Sequence, residues 1–284
     1  MEPEMISAIK ADLRKSAEDF FNSIVDEEIR KLFKEHAFIA GGAIASLILG
    51  ETPNDYDFYI DDSTVCYKIV QYFLRNMDSD VSIDEVEQTD IGISVYVPHG
   101  ICKVEATNDK YQPLVVTANA ISFSDGVQVI MRYTGNPNEL AKNFDFLHSK
   151  GIYMYKRDEL ILSPETQEAI QNKRLIYTGS DYPLASLIRT RKFVSRGWKI
   201  NAGQYLKIAL DLNKLQLSDP QVLREQLVGV DLLHYANFLE KLASVGIENI
   251  DFDHQTEDLF SLIDDAFDVQ HASNVQATDL DAPF

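Results

Sequence analysis

The chain has 284 residues, 45% of them hydrophobic and 25% charged, which is ordinary for a globular protein with a sizeable core. Its formal net charge of −19 argues against a general nucleic-acid coat protein, because neutralising phosphates requires Lys and Arg. No apolar run is long enough to cross a bilayer, and the first residues lack the basic-then-apolar order of a secretory signal. Cys66 and Cys102 have no metal-ligand spacing and are typical of reduced thiols, so we expect a cytoplasmic location.

The first part of the chain predicts alternating helices and strands. Apolar residues at helical spacing predict one amphipathic helix over residues 5–36. A buried strand, AFIAGG, then precedes a two-turn helix, AIASLILG, with Gly50 at its end, and a second strand, DYDFYI. The segment STVCYKIVQYFLRN predicts a helix with Ser63 as its N-cap.

Further along, the period of the apolar residues changes twice. Between Ile91 and Tyr133 it is two, which predicts the strands GISVYV, ICKVEAT, LVVTANAISF and VQVIMRY, with a turn at SDG. After about residue 164 the chain predicts only helices. We therefore expect an α+β head domain over residues 1–160, a helical neck and body over 161–250, and an acidic tail over 251–284.

The charge is distributed unevenly along the chain. Residues 150–207 contain 11 Lys and Arg against 5 Asp and Glu, whereas residues 251–284 contain 9 acids and no Lys or Arg. The middle of an acidic protein is thus basic, although a solvated helix face is the usual role of such a run.

Two short motifs flank the helix AIASLILG. Asp55 and Asp57 are two residues apart in a predicted strand, so their carboxylates project from the same face and would repel each other without a cation. Mg²⁺ is commonly held by one or two carboxylates together with substrate phosphates. Gly41 and Gly42 lack Cβ atoms and open a helix, an arrangement that lets backbone N–H groups approach a phosphate. Each motif alone is a common turn or strand end, but their order and spacing favour a metal–nucleotide site.

The stretch GGAIASLILGETPNDYDFYI, which contains both motifs, resembles the sequence signature of the head domain of polymerase-β-like nucleotidyltransferases. It is most similar to that of class II tRNA CCA-adding enzymes and bacterial poly(A) polymerases. The segments KNFDFLHSKGIYMYKRDELI and YPLASLIRTRKFVSRGWKI resemble the next two blocks of that family, so the resemblance covers about residues 38–200. The helical part is also similar to nucleotidyltransferase-like proteins encoded by bacteriophages.

The resemblance implies a role for each matching position. It implies a nucleotidyltransferase head, with a mixed or antiparallel sheet and flanking helices, followed by an all-helical neck and body. It also implies two Mg²⁺ ions on Asp55 and Asp57 and a triphosphate at Gly41 and Gly42. The further nucleotide contacts that it implies are Asp145, Arg189 and Lys192.

The sequence departs from the family pattern at several positions. Ala45-Ser46 and Asn143-Phe144 replace residues that in the family contact phosphate or base. Glu105 is our candidate for the third carboxylate, because the alternative strand offers the neutral Gln128, a poor metal ligand. The base-reading block of CCA-adding enzymes is not recognisable, Arg224 being a weak match for its arginine, and the chain is shorter than the full body and tail of those enzymes. CCA addition to tRNA is therefore disfavoured.

The residues and the resemblance together predict an enzyme. We expect it to transfer a nucleoside monophosphate from an NTP to a hydroxyl group, with an RNA 3′ end as the favoured acceptor, and to release pyrophosphate. A protein or a small molecule is the alternative acceptor, and a non-catalytic binding or structural module is the alternative class. If a phage encodes the chain, its location is the host cytoplasm.

Overall fold

A computed structural model describes residues 1–77, 81, 86–97, 101–104 and 109–228 of the chain. The chain divides into two compact units, the first spanning Met1–Ser180 and the second beginning at Asp181. Within the described ranges, no helix is both long enough and apolar enough to pass through a membrane.

The first unit combines helices with short strands. Its helices are α1 (Pro3–Ser23), α2 (Glu27–His36), α3 (Gly42–Ile48), α4 (Ser63–Arg75), α5 (Pro137–Leu140) and α6 (Pro164–Gln171). Its strands are β1 (Ala37–Ala40), β2 (Tyr56–Ile60), β3 (Val86–Gln88), β4 (Ile93–Val95), β5 (Ile101–Lys103), β6 (Pro113–Thr117), β7 (Ala120–Phe123), β8 (Val127–Ile130), β9 (Ile152–Met154) and β10 (Glu159–Ile161).

Among the described residues, eight strands form one sheet in the order β10-β9-β1-β2-β8-β7-β6-β5, and β3 pairs with β4 apart from it. Strands β2 and β8 are parallel, whereas the other neighbouring pairs are antiparallel. The sheet is therefore mixed, and the predicted α+β fold with flanking helices is confirmed. Strand β2, which carries Asp57, lies in the interior of this sheet.

One face of the sheet is covered by aromatic side chains. The ring centroid of Phe20 on α1 lies 5.3 Å from that of Phe58 on β2 and 5.2 Å from that of Phe123 on β7. Phe33 of α2 and Phe73 of α4 extend the same cluster. Successive side chains of a strand point to opposite faces. Since Phe58 points to this face, Asp57 and Tyr59 point to the other one.

The opposite face is apolar over β1, β9 and the far end of β2. The buried cluster there comprises Phe38, Ala40, Tyr59, Leu140, Ala141, Ile152 and Met154. Asp57 shares this face with Tyr59 because the two residues are two positions apart in β2. The carboxylate of Asp57 thus lies where an apolar layer gives way to polar groups.

The prediction of one helix over residues 5–36 is wrong, since the chain leaves the helical conformation after α1 and restarts at α2. Asp26 is the N-cap of α2, and its Oδ1 atom accepts hydrogen bonds from the N–H groups of Glu28 and Ile29 at 2.9 and 3.0 Å. A capping carboxylate satisfies N–H groups that a continuous helix would pair internally. The break lets the aromatic side chains of α1 and α2 contact each other.

Two other element boundaries differ from the predicted ones because of local hydrogen bonds. The segment LVVTANAISF forms two strands, because Oγ1 of Thr117 accepts hydrogen bonds from the N–H groups of Asn119 and Ala120 and closes a turn. The N-cap of α4 is Asp62 rather than Ser63, since Oδ1 of Asp62 accepts a hydrogen bond from the N–H group of Val65 at 3.0 Å.

Helix α6 belongs to the first unit, although it lies beyond the boundary at residue 160 expected for the head domain. It packs against α3 and against the 3₁₀ turn Leu147–Ser149, and its residues Ala169 and Ile170 are buried. Burial of this apolar face joins the helix to the first unit.

The second unit is helical over its described residues. It contains α7 (Pro183–Ser195), α8 (Ala202–Leu212) and α9 (Pro220–Val228), and α7 packs against both of the others. Nε2 of Gln226 donates a hydrogen bond to the carbonyl oxygen of Asp181 at 2.8 Å, which ties α9 to the start of the unit. Trp198 is buried beside Phe193. The expected tail, residues 251–284, lies outside the described residues.

Candidate functional site

Asp57 is held at the start of an interior strand. It is the second residue of β2, paired in register with Ala40 of β1 on one side and with Gln128 of β8 on the other. Asp55 comes immediately before this strand, and both carboxylates are half-buried. Tyr56 between them lies on the opposite side, near Ser16 of α1, where burial raises the pKa of its hydroxyl.

Gly41 lies directly against the carboxylate of Asp57. Its backbone has φ of 95°, and a Cβ atom at this position would lie 3.1 Å from Oδ2 of Asp57. Gly42, the first residue of α3, differs from it, because a Cβ there would meet no atom within 4 Å. The structure therefore brings the first glycine and the second aspartate of the predicted motif into contact, although 16 positions separate them in the sequence numbering.

A third glycine, which lies outside the motifs predicted from the sequence, supports the segment that carries Asp55. Gly126 has φ of 69°, and a Cβ there would lie 2.5 Å from the carbonyl oxygen of Asn54 and 3.6 Å from Cα of Asp55. The turn Ser124–Gly126, recognised in the sequence only as a turn, thus abuts the backbone just before β2. The SDG pattern predicts the turn but not what it touches.

Gln128 lies next to Asp57 on the neighbouring strand of the sheet. It pairs in register with Asp57 on β2 and with Ser122 on β7, and 6% of its surface is exposed. Its Nε2 atom is buried and has no hydrogen-bond partner in the part of the chain that the structure describes. A neutral amide therefore lies beside Asp57, at the strand position that was the alternative to Glu105 for a third carboxylate.

Asp145 is buried in the segment that precedes β9. Its carbonyl oxygen accepts a hydrogen bond from the N–H group of Thr178 at 2.8 Å. Burial lowers the pKa of His148 to about 4 and also lowers the pKa of Lys150, although the carboxylate of Asp145 raises both. The same segment reaches the glycine turn, because the N–H group of Gly41 donates a hydrogen bond to the carbonyl oxygen of Ser149 at 3.2 Å.

The remaining predicted residues belong to the second unit or lie outside the described residues. Arg189 and Lys192 are half-buried on α7 of the second unit, three residues apart and so on one helix face, and Arg224 belongs to α9. Glu105 lies outside the described residues. In the first unit, the structure brings together Gly41, Asp57 and Gln128.

The carboxylates of the site suit a cation whose remaining ligands are oxygens of a bound substrate. Within the described ranges, no group of three or more His, Cys, Asp or Glu side chains could enclose a metal ion. Two carboxylates completed by phosphate oxygens are, however, a usual environment for Mg²⁺. Asp55 and Asp57, with the space that Gly41 leaves beside Oδ2 of Asp57, fit that arrangement.

The fold and the site together define a mixed α+β protein with a carboxylate pair at an interior strand, followed by a helical unit. The family model for Gabija anti-defense 2 family proteins matches residues 12–173, more than half of the chain. The chain belongs to the Gabija anti-defense 2 family. Its curated relative Gabija anti-defense 2 of Bacillus phage SPbetaL7 is 21% identical over 217 residues, which are 76% of this chain and 47% of the relative. The chain thus spans about half the length of that relative.

Solved structures of CCA-adding enzymes are also similar to this chain. The Thermotoga maritima enzyme complexed with tRNA matches 81% of this chain and 54% of its own, with 12% identity and a TM-score of 0.41. The Bacillus stearothermophilus enzyme in complex with CTP matches 78% of this chain and 51% of its own, with 17% identity and a TM-score of 0.41.

Proposed function

We propose that the first unit is a Mg²⁺-dependent nucleotidyltransferase that moves a nucleoside monophosphate from an NTP to a hydroxyl group and releases pyrophosphate. The observation that carries the proposal is the close approach of Gly41 to Asp57, where a Cβ atom would lie 3.1 Å from Oδ2, with Asp55 just before the same strand. It places a glycine turn, suited to a phosphate, against a carboxylate, suited to a cation.

The chemistry of such a site consists mostly of positioning and charge neutralisation. Asp55 and Asp57 would hold Mg²⁺, which when bound screens the charge of the triphosphate and of the attacking oxygen. Gly41 and Gly42 leave room for the triphosphate beside these carboxylates. Asp145, Arg189 and Lys192 remain proposed nucleotide contacts, and Glu105 remains the proposed third carboxylate.

The family points to the setting in which this activity would act. The name of the phage relative, Gabija anti-defense 2, states that it counteracts Gabija defense. We propose the same purpose for this chain, in the cytoplasm of the infected host. The favoured acceptor hydroxyl is an RNA 3′ end, and a group on a protein or a small molecule is the alternative.

Transfer of a labelled nucleotide tests the activity directly. The purified chain is incubated with Mg²⁺ and each of the four α-³²P-labelled NTPs, with total RNA and lysate of the host as acceptors. We expect label on one acceptor class, and loss of that label in Asp55→Asn/Asp57→Asn. The matched control, Glu87→Gln/Asp90→Asn, removes two carboxylates at exposed positions and should retain the label. Absence of label with every NTP and a folded protein would contradict the proposal.

A nucleotide-binding module without turnover is the second candidate, and the neutral Gln128 beside Asp57 favours it. Such a module would be stabilised thermally by Mg²⁺ with an NTP, and Asp55→Ala/Asp57→Ala would abolish the stabilisation. Stabilisation without transfer to any acceptor would select this candidate, whereas transfer would exclude it.

A further inference from the structure

A buried amide donor lies beside the proposed metal-binding carboxylate. Gln128 and Asp57 are register partners in the parallel strands β8 and β2, so their side chains project from the same face of the sheet. Gln128 is 6% exposed, and its buried Nε2 atom has no hydrogen-bond partner among the residues that the structure describes. A buried donor without an acceptor destabilises a folded protein, and such groups in native structures commonly mark a ligand, a water or an ion.

The neighbours of this pair do not supply the acceptor. Ala40 is the register partner of Asp57 on its other side, and Ser122 is the register partner of Gln128. Both are short, so neither flanking strand contributes a long polar side chain to the row. On the adjoining turn, Gly41 leaves open the space that a Cβ atom would take 3.1 Å from Oδ2 of Asp57.

The chemistry of the two side chains identifies the kind of ligand. An N–H group cannot ligate a cation, but it donates to an anionic oxygen, whereas a carboxylate binds a cation and repels that oxygen. A carboxylate beside an amide donor therefore matches a phosphate that carries its own metal ion. An acid in place of Gln128 would add a metal ligand but would also repel the phosphate.

We propose that Gln128 binds the polyphosphate chain of the nucleotide: its Nε2–H group donates to a phosphoryl oxygen of a cation-bound triphosphate at Asp55 and Asp57. This inference rests on the proposed function, since it takes a metal–nucleotide complex as the occupant of the site. It assigns Gln128, the register partner of Asp57, to recognition of the phosphate instead of the metal.

Binding of inorganic tripolyphosphate with Mg²⁺ tests the inference without a choice of base. Isothermal titration calorimetry on the full chain would compare the wild type with Gln128→Met, which keeps the length of the side chain and removes the donor. We expect the dissociation constant to rise about 10- to 100-fold, the range for a lost hydrogen bond to a charged group. Ser122→Ala, a buried change in the same row, should leave the constant unchanged.

Two further measurements separate the role of Gln128 from a loss of folding. Without ligand, Gln128→Met should melt no lower than the wild type, because the change removes an unsatisfied donor. Gln128→Glu keeps the shape of the side chain and should also weaken tripolyphosphate binding. In the wild type, the side-chain amide resonances of Gln128, assigned by their absence in either variant, should shift when Mg²⁺ and tripolyphosphate are added.

The outcomes distinguish this inference from the function on which it rests. If Gln128→Met and the wild type bind tripolyphosphate equally while Asp57→Asn does not bind it, the inference is overturned and the proposed function stands. Amide resonances that stay in place at saturation would overturn it as well. If the wild type binds neither tripolyphosphate nor any NTP, both the inference and the proposed function are wrong.

Discussion

At Gly41 the backbone has φ of 95°, a conformation that residues with a Cβ atom rarely adopt, and a Cβ atom there would lie only 3.1 Å from Oδ2 of Asp57. At Gly42 neither constraint applies, because a Cβ there would meet no atom within 4 Å. Only the first of the two adjacent glycines is therefore required by the fold. Gly41 meets both the backbone constraint and the close approach of the Asp57 carboxylate, whereas an alanine would fit at position 42.

Replacing each glycine by alanine should separate these roles. Gly41→Ala should lower the free energy of unfolding by about 1–3 kcal/mol, because it introduces backbone strain and crowds Asp57. Gly42→Ala should leave it unchanged or raise it by about 0.5–1 kcal/mol, since alanine favours the helix and fits the open space. Urea unfolding of both variants gives the comparison, and equal effects would refute the assignment.

His148 predicts a pH dependence of stability. Burial lowers its pKa to about 4 from an ordinary value of 6.5, so the folded protein keeps the imidazole neutral where the unfolded chain binds a proton. The free energy of unfolding should therefore fall as the pH is lowered from about 6.5 to 4, by up to about 3 kcal/mol from this residue. His148→Gln should flatten that fall in urea unfolding at several pH values. Parallel curves for the variant and the wild type would contradict the prediction.

At the scale of single elements, Asp62 and Ser63 have different roles at the start of α4. Oδ1 of Asp62 accepts the hydrogen bond from the N–H group of Val65, so Asp62 caps the helix and Ser63 is its first residue. Asp62→Ala should lower the free energy of unfolding by about 1 kcal/mol, and Ser63→Ala should change it by a few tenths. Thermal unfolding of the pair measures the difference, and a larger loss at Ser63 would restore the N-cap predicted from the sequence.

At the scale of the whole molecule, the extent of the head unit can be tested by truncation. The first unit spans Met1–Ser180 and includes α6, whose residues Ala169 and Ile170 are buried. A fragment of residues 1–180 should unfold cooperatively, whereas a fragment of residues 1–160 should be less stable by several kcal/mol because it exposes the surface under α6. Circular dichroism during urea unfolding of both fragments measures this. Equal stability would support a boundary near residue 160.

Much of the first unit could be predicted from local patterns. Short apolar runs and glycines predict β1, α3 and β2 in the right order, and alternation along the chain predicts the faces of the strands. The break between α1 and α2 could not be predicted from periodicity, because the apolar spacing continues through it. The hydrogen bonds of the Asp26 carboxylate and the contacts between aromatic side chains decide it.

The sequence by itself determined the residue types of the candidate site: a glycine pair, two aspartates two positions apart and a helix between them. Only the tertiary structure decided which groups lie together. The contacts of Gly41 with Asp57, of Asp57 with Gln128 and of Gly126 with Asn54 join segments distant in the chain. The physical reason is that these contacts depend on the order and register of the strands in the sheet, which hydrogen bonds between strands and burial of both sheet faces set and no local pattern encodes.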